Sequence, residues 1–198
     1  MKIIGIIILL IFYLVYFGKM ILQRRKGIQT DQMAKGGKKD KTFFIELILK
    51  IATYSVGIAD VICVMTVVSF SQTVSIIGMV IGFAGDIIFA AAVITMKDSW
   101  RAGLARDDET KMVTNGIYQF SRNPAFLAFD CVYLGILFMF FNPVLLVLSL
   151  WAMVMLHLQI LQEEKYLLTV FGEEYTDYKS RVCRYIGRKH SLKIPYKC

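Results

Sequence analysis

Long apolar runs are the feature of this sequence that most restricts its fold. Five segments, approximately 3–22, 51–70, 74–96, 124–141 and 144–161, consist almost entirely of apolar residues, and hydrophobic residues make up 57% of the chain. A helix needs about 20 apolar residues to cross the hydrocarbon core of a bilayer. We therefore predict an all-α, polytopic membrane protein, a helical bundle of about five transmembrane helices.

The segments between these runs indicate how the spans are connected. Residues 71–73 and 142–143 are too short to be anything but turns, so spans two and three, and spans four and five, should form antiparallel hairpins. Residues 23–41 are polar and basic and predict a flexible connection, and residues 42–50 suit an interfacial start to span two. Residues 162–198 predict a helix to about Tyr178, followed by a basic tail.

The positions of the basic residues predict the orientation. Of the 23 Lys and Arg residues, only Lys2 would face outward if residues 23–41, 97–123 and 162–198 were cytoplasmic. This places the N-terminus outside and the C-terminus in the cytoplasm. The net charge of +8 is then explained by membrane topology, and we predict no nucleic-acid partner.

Neither a signal peptide nor a cysteine-based site is indicated by the sequence. Met1–Leu22 is followed by Arg24-Arg25-Lys26 without a small-residue cleavage site, which predicts a retained span and not a signal peptide. The four cysteines have no CxxC spacing, so we predict free thiols and no metal site.

Two polar strings flank the hairpin of spans four and five. The first, residues 116–126, contains a turn and a proline at the start of span four, and the second, residues 162–178, begins with Gln162-Glu163-Glu164. Because the hairpin between them returns the chain to the same membrane face, both strings should meet there and form a site. We accordingly divide the chain into N-terminal transmembrane helices, 1–99, and a catalytic region, 100–198.

These strings resemble the superfamily of isoprenylcysteine carboxyl methyltransferases and phospholipid methyltransferases. That superfamily typically has Gly-x-Tyr, Arg-His-Pro-x-Tyr, a membrane hairpin, Glu-Glu-x-x-Leu and Phe-Gly-x-x-Tyr. The corresponding segments here are Gly116–Tyr118, Arg122–Phe126, Glu163–Leu167 and Phe171–Tyr175. The resemblance extends over about 100–186, and residues 1–99 match only in hydropathy. Asn123 stands where the superfamily usually has His, and Phe126 where it usually has Tyr.

The resemblance implies S-adenosyl-L-methionine as cofactor and transfer of its methyl group to a lipophilic acceptor. It implies catalytic roles for Arg122, Asn123 and Glu163, with Glu163 binding the α-amino group. Such a ligand needs a carboxylate, hydrogen-bond donors and apolar or aromatic walls. The implied cofactor-binding residues are Gly103, Thr110, Lys111, Met112, Val113, Tyr118, Asn123, Pro124, Ala125, Phe126 and Glu163.

Gln159 bears on the identity of the methyl acceptor. It stands at a position where the carboxyl-methylating members of the superfamily usually have an arginine that faces the acceptor. Glutamine discriminates weakly for an anion, so a prenylcysteine carboxylate is disfavoured relative to a thiol, an amine or a phospholipid headgroup. We expect the acceptor to enter from the bilayer through a gap lined by spans two to four. Asp130 is a candidate orienting acid for a cationic headgroup.

Other interpretations remain open at this stage. The fold is also compatible with an NADPH-dependent sterol or steroid reductase, which the acidic residues 107–109 disfavour, or with a non-catalytic membrane protein. Arg122 can equally be a lipid-headgroup anchor, and Tyr175 and Tyr178 an interfacial aromatic belt. Several residues have structural alternatives: His157 as a hydrogen-bonded core residue, Asp60 and Asp86 as a polar cavity or a bonded pair, and Gly78, Gly82 and Gly85 as helix contacts.

Overall fold

The computed structural model describes residues 1–35, 41–68, 71–103 and 111–189. It contains five α-helices and two short 3-10 segments, Lys97–Ser99 and Gly116–Gln119. The described residues contain two isolated β-bridges and no strand. The predicted all-α fold is therefore confirmed. The helices are α1 (Lys2–Arg25), α2 (Lys41–Thr66), α3 (Gln72–Met96), α4 (Pro124–Met139) and α5 (Pro143–Arg181).

Four helices, α1, α2, α3 and α5, are long and apolar enough to cross a membrane, and α4 is a shorter apolar helix of 16 residues. The chain is thus a multi-pass membrane protein. The predicted interfacial start of span two and the predicted helix after span five are both continuous with their spans, and the end of span two differs from prediction. Residues 42–50 and span two form one continuous helix, which ends at Thr66 and not near residue 70. Span five and the polar helix after it are also continuous, because α5 runs for 39 residues with a kink at Gly172, where φ is +51°.

The hairpin of α4 and α5 begins where the sequence predicts. Pro124 and Pro143 occupy first-turn positions, where a missing N–H leaves no hydrogen bond unmade. The side-chain oxygen of Asn142 caps α5 by accepting from the backbone N–H groups of Val144 and Leu145, at 2.8 and 3.3 Å. These two helix starts fix the positions of both polar strings.

Small residues hold α3 and α4 in close contact. A Cβ atom added at Gly135 would lie 2.7 Å from the Cα of Gly82, and one at Gly78 would lie 2.6 Å from the carbonyl oxygen of Gly135. Only glycine permits this separation of the two backbones. The predicted role of Gly78, Gly82 and Gly85 as helix contacts is confirmed, and Gly135 completes the interface from α4.

An aromatic cluster joins three helices near the site. The Phe12 ring on α1 lies 4.7 Å, centroid to centroid, from both Phe89 on α3 and Phe129 on α4. Trp100 and Tyr16 pack edge-to-face at 5.6 Å beside them. This rigid cluster positions the segment that follows α3.

The described part of the connection after α1 is more ordered than predicted. Gln23 donates to the carbonyl of Trp100 at 3.0 Å and accepts from the hydroxyl of Thr30 at 2.6 Å. The backbone of Ala102 bonds to Thr30 and Gln32, which gives a parallel bridge between Asp31 and Ala102. The prediction of a flexible connection was wrong for residues 26–35, because one buried glutamine ties this polar segment to the residues after α3.

Asp60 and Asp86 do not form the interhelical pair considered above. Both side chains are buried, and their four carboxyl oxygens have no hydrogen-bond partner among the described residues. Neither residue lines the two cavities described below. Both pack within the helical bundle.

Candidate functional site

A polar-ended cavity lies where the two strings meet. It is bordered by the end of α3, the 3-10 turn Gly116–Gln119, the start of α4 and the polar half of α5. The predicted residues that line it are Gly103, Lys111, Met112, Val113, Tyr118, Arg122, Asn123, Ala125, Phe126 and Glu163. Pro124 is buried at the start of α4 and does not line it, and Thr110 lies outside the described residues.

A charge cluster lies behind one wall of this cavity, and Arg122 is its member that lines the cavity. The Glu164 carboxylate pairs with the Arg122 guanidinium at 3.0 Å and accepts two hydrogen bonds from Arg184, at 3.0 and 2.9 Å. The side chains of Arg122 and Glu164 are 4% and 6% exposed. Burial opposes ionisation of Glu164, but the Arg184 hydrogen bond and the two positive charges outweigh it and lower the pKa of this carboxyl. Glu164 is therefore an ion-pair partner of both Arg122 and Arg184.

Arg122 retains one unused donor after making these contacts. Its terminal nitrogens face Glu164 and the hydroxyl of Tyr175, the latter at 3.5 Å, while its buried Nε has no partner among the described residues. Arg122 lines the cavity and brings positive charge to this wall, while its Nε is buried behind the surface. The Arg122 side chain is 4% exposed and paired with Glu164, so its contacts lie inside the protein and not at a lipid-facing surface.

Glu163 lies on the same cavity, beside Gln159 one helical turn earlier. The Gln159 Nε2 donates to Glu163 at 3.1 Å and approaches Glu46 of α2 at 3.4 Å. Glu46 also accepts from the backbone N–H of Ala34 at 2.9 Å. The pKa of the Glu163 carboxyl is raised to about 7, and burial is the largest cause. The hydrogen bond from Gln159 lowers this pKa, and the charge of Glu46 raises it. A positive ligand group would convert Glu163 fully to its ionised form.

Tyr175 and Tyr178 lie inside the protein and not in an interfacial belt, so that prediction was wrong. Both are buried, and the Tyr178 hydroxyl donates to the carbonyl of Tyr118 at 2.7 Å. Together with Arg122, they connect the kinked end of α5 to the first polar string. The kink at Gly172 turns the last two helical turns toward the cavity.

Residues 182–189 add contacts that the sequence did not reveal. This C-terminal hairpin is closed by the antiparallel bridge between Val182 and Arg188. The backbone N–H of Arg122 donates to the Cys183 carbonyl at 3.1 Å, and the Asn123 side-chain amide donates to the Arg184 carbonyl at 3.2 Å. Asn123 lines the cavity, and the hydrogen bond from its side-chain amide also attaches the C-terminal hairpin to the first polar string.

The hairpin also contacts the membrane half of α5. The Nδ1 atom of His157 lies 2.6 Å from the Tyr185 hydroxyl, with the two rings stacked at 6.1 Å. His157 thus has the hydrogen-bonded role predicted for it. No local signal in residues 182–189 identifies Arg184 and Tyr185 as partners of the site, since their contacts are set by tertiary packing.

A second, apolar cavity of about 440 Å³ adjoins the first. Its walls come from α1, α2, α4 and α5, and its outer rim is formed by side chains exposed on the lipid-facing surface, such as Phe17, Ile58 and Ile62. The acceptor gap was predicted between spans two to four, whereas this cavity uses α1 in place of α3. The tight glycine contact of α3 with α4 leaves no opening on that side.

The two cavities meet at Gly103 and Phe126, which line both. Gly103 has φ +92°, and a Cβ atom there would lie 2.7 Å from the backbone nitrogen of Met33. A larger side chain would therefore not fit at this junction. Gln159 lines the apolar cavity, while Asp130 lines neither and has a buried oxygen without a partner among the described residues.

Comparisons with known proteins find similarity over the part of the chain that contains the cavity-lining residues. A sequence model described as the isoprenylcysteine carboxyl methyltransferase family matches residues 76–169. This segment contains most of α3, all of α4, both cavity-lining strings as far as Thr169, and the junction residues. Over this segment the chain is similar to the isoprenylcysteine carboxyl methyltransferase family.

Individual relatives carry the same family name. The chain is 32% identical over 114 residues to a probable protein-S-isoprenylcysteine O-methyltransferase of Oryza sativa subsp. indica, a match that covers 55% of this chain and 59% of the relative. It is 31% identical over 114 residues to protein-S-isoprenylcysteine O-methyltransferase B of Arabidopsis thaliana, covering 55% and 57%. It is 32% identical over 80 residues to the Saccharomyces cerevisiae enzyme of that name, covering 39% and 33%.

The chain thus spans less than three fifths of the length of the first plant relatives that it matches. The family model begins at residue 76, within α3, which is earlier than the resemblance at about 100 predicted from the motifs. The isoprenylcysteine carboxyl methyltransferase similarity therefore includes the glycine-mediated contact of α3 with α4. It does not include α1 and α2, which supply much of the apolar cavity.

Proposed function

We propose that the protein is an integral membrane methyltransferase that uses S-adenosyl-L-methionine and acts on a lipophilic acceptor. The observation that carries this proposal is the junction of a charged, polar-ended cavity with an apolar, lipid-facing one at Gly103 and Phe126. A water-soluble methyl donor and a membrane-bound acceptor need two such compartments with a shared wall. The family names of the relatives support the same chemistry.

The residues of the polar-ended cavity fit this cofactor chemically. Glu163 supplies a carboxylate for the ammonium group, and the guanidinium of Arg122 supplies positive charge for the carboxylate. Tyr118, Met112 and Phe126 provide apolar and aromatic surface. The cofactor would supply an electrophilic methyl group on a sulfonium centre.

The size of the cavity adds one requirement. It encloses about 150 Å³, below the roughly 300 Å³ at which small-molecule sites usually begin. Side chains at its border must therefore move to admit a nucleoside. Lys111 is exposed, and Phe171 is only half-buried, so both can move without disrupting the helix contacts.

The chain's own residues would contribute alignment more than proton transfer. Glu163 and Arg122 would hold the two ends of the cofactor's amino-acid group, and Phe126 at the junction would exclude water from the reacting atoms. Asn123 has a neutral amide and serves to position the first string through Arg184. The proposed acceptors are a thiol, an amine or a phospholipid headgroup, with a prenylcysteine carboxylate disfavoured by Gln159.

We further propose that the N-terminus lies outside and that the site and C-terminus are cytoplasmic, as the distribution of Lys and Arg favours. The experiment that tests the activity uses the purified full chain with methyl-labelled S-adenosylmethionine and a membrane lipid extract. Label should move into an organic-soluble product in a protein-dependent manner. Absence of such transfer with several lipid extracts, from protein that remains folded, would contradict a lipid-directed activity.

A further inference from the structure

A third cleft, which we call the α1 cleft, lies at the end of α1. It encloses about 770 Å³, within the range of roughly 300–1,000 Å³ that is usual for small-molecule sites. One wall is a face of α1, and the other is the chain segment that follows this helix. Among the described residues, the α1 cleft shares Phe17 with the apolar cavity and none with the polar-ended one. The proposed methyl transfer therefore assigns it no role.

The α1 wall changes from apolar to basic along the helix axis. Phe17, Met20, Ile21 and Arg24 line it at the spacing of a single helix face. Phe17 and Ile21 are 48% and 55% exposed within the apolar part of α1, so their side chains face lipid. Arg24 follows Phe17 by seven residues, which is a rise of about 10 Å. The lipid-facing surface of the α1 cleft thus ends at a guanidinium.

The opposite wall is fixed by contacts within the protein. Gly27, with φ +75°, turns the chain back after α1. Thr30 is buried, and its hydroxyl donates to the side-chain oxygen of Gln23 at 2.6 Å. The Asp31 carboxylate pairs with Lys50 of α2 at 2.8 Å. Because these contacts need no ligand, the α1 cleft is preformed.

The charges that line the α1 cleft favour an anion. The charged residues that line it are Arg24, Asp31 and Lys35. Lys50 balances the charge of Asp31, whereas the exposed side chains of Arg24 and Lys35 have no ion-pair partner among the described residues. The C-terminal end of the α1 dipole contributes only roughly half a negative charge. Two positive charges therefore remain for a ligand.

We propose that the α1 cleft binds one anionic phospholipid, with its phosphate at Arg24 and Lys35 and an acyl chain along Phe17 and Ile21. A guanidinium matches the geometry of a phosphate through paired N–H groups. A soluble phosphate ester would leave the lipid-facing half of the α1 cleft unfilled, and an uncharged lipid would leave both cations unpaired. The orientation favoured by the basic residues places this end of α1 in the cytoplasmic leaflet, which carries the anionic lipids.

A general attraction of basic residues to an anionic surface makes a different prediction. It involves Arg24 and Arg25 equally, since both are exposed at the same end of α1. Binding in the α1 cleft depends on Arg24, because Arg25 does not line it. Arg25→Gln is therefore the matched control for Arg24→Gln: each substitution removes one positive charge from the same helix end.

Lipid competition measured by native mass spectrometry tests the headgroup. The full chain in a neutral detergent is mixed with equal amounts of dioleoylphosphatidylglycerol and dioleoylphosphatidylcholine. One phosphatidylglycerol should be retained per chain, with an affinity about ten-fold above that of phosphatidylcholine, because its headgroup has a net negative charge. Arg24→Gln should remove most of this preference, and Arg25→Gln should keep it. Equal retention of the two lipids, or an equal loss in the two variants, would overturn the proposal.

Thermal unfolding in the same detergent tests the need for the acyl chains and provides a second variant. Phosphatidylglycerol should raise the melting temperature of the unsubstituted chain, and glycerol 3-phosphate at the same concentration should not. Lys35→Gln, in the opposite wall, should lose the stabilisation. An equal rise with glycerol 3-phosphate would indicate a site for free anions, and an undiminished rise in Lys35→Gln would place the lipid elsewhere; either result would overturn the proposal. Neither experiment uses a methyl donor, so both are independent of the proposed function.

Discussion

Gln159 and Glu163 lie one turn apart on α5, and the amide of Gln159 donates to the Glu163 carboxylate across 3.1 Å. Gln159 lines the apolar cavity, and Glu163 lines the polar-ended one. This hydrogen bond therefore connects the two compartments through a single helix face. A substitution at either residue should therefore affect the lining of both cavities.

We predict that the affinity for S-adenosylhomocysteine rises with pH through the neutral range. Burial raises the pKa of the Glu163 carboxyl to about 7, so below this pH the carboxyl is mostly neutral and cannot pair with the ligand's ammonium. Affinity should fall by up to about ten-fold per unit of pH on the acidic side. Calorimetric titrations between about pH 5.5 and 7.5 measure this slope, and Glu163→Gln should flatten it. A flat profile in the unsubstituted protein would show that Glu163 is not the ammonium ligand.

Glu164→Gln should destabilise the protein strongly. It leaves the buried guanidinium of Arg122, whose side chain is 4% exposed, without its carboxylate, and breaking a buried pair typically costs about 3–5 kcal/mol. Asp177→Asn is the matched control, because the Arg181–Asp177 pair is exposed on both sides and should contribute less than about 1 kcal/mol. Thermal unfolding in detergent measures both. Equal melting temperatures for the two variants would contradict the assignment of Glu164 as a structural ion-pair partner.

Gly135→Ala should also lower the melting temperature. The added Cβ would lie 2.7 Å from the Cα of Gly82, a backbone atom that can move only if α3 and α4 separate, at a cost of about 1–3 kcal/mol. Gly18→Ala on α1 is the control, since nothing lies within 4 Å of its added Cβ. That variant should unfold at the same temperature as the unsubstituted protein or slightly above it. If the two alanine variants have the same melting temperature, the close α3–α4 contact is not present in solution.

The helices could be predicted because their signals are local. Apolar length identifies the spans, Pro124 and Pro143 mark two helix starts, and the spacing of Gly78 and Gly82 predicts a close helix contact. The two polar strings could be assigned to one site because a short hairpin forces them to the same side. Each of these inferences needs only chain geometry and the requirements of a bilayer.

The remaining features depend on contacts between distant residues. Arg184 reaches Glu164 through a hairpin in the C-terminal region, and Gln23 orders residues 26–35 by bonding to Trp100. Neither partner has a local sequence signature. Tyr175 and Tyr178 are amphipathic residues near a membrane boundary, which favours an interfacial prediction, but the kink at Gly172 turns them inward.

Cysteine labelling tests the proposed orientation. In a variant without the natural cysteines, Ser71→Cys between α2 and α3 should react with a membrane-impermeant maleimide added to intact cells. Lys35→Cys, in the connection between α1 and α2, should react only after permeabilisation. The opposite pattern would invert the topology and place the site outside.

The central claim, that Glu163 binds the cofactor of a methyltransferase, is tested most directly by calorimetric titration of S-adenosylhomocysteine and NADPH into the full chain in detergent. We expect saturable binding of S-adenosylhomocysteine and none of NADPH. A charge-assisted hydrogen bond contributes about 1.5–3 kcal/mol, so Glu163→Gln should weaken binding by about ten-fold or more. Glu173→Gln, at an exposed carboxylate on the same helix, should bind as the unsubstituted protein does. Unchanged affinity in folded Glu163→Gln, or binding of NADPH in place of S-adenosylhomocysteine, would contradict the account.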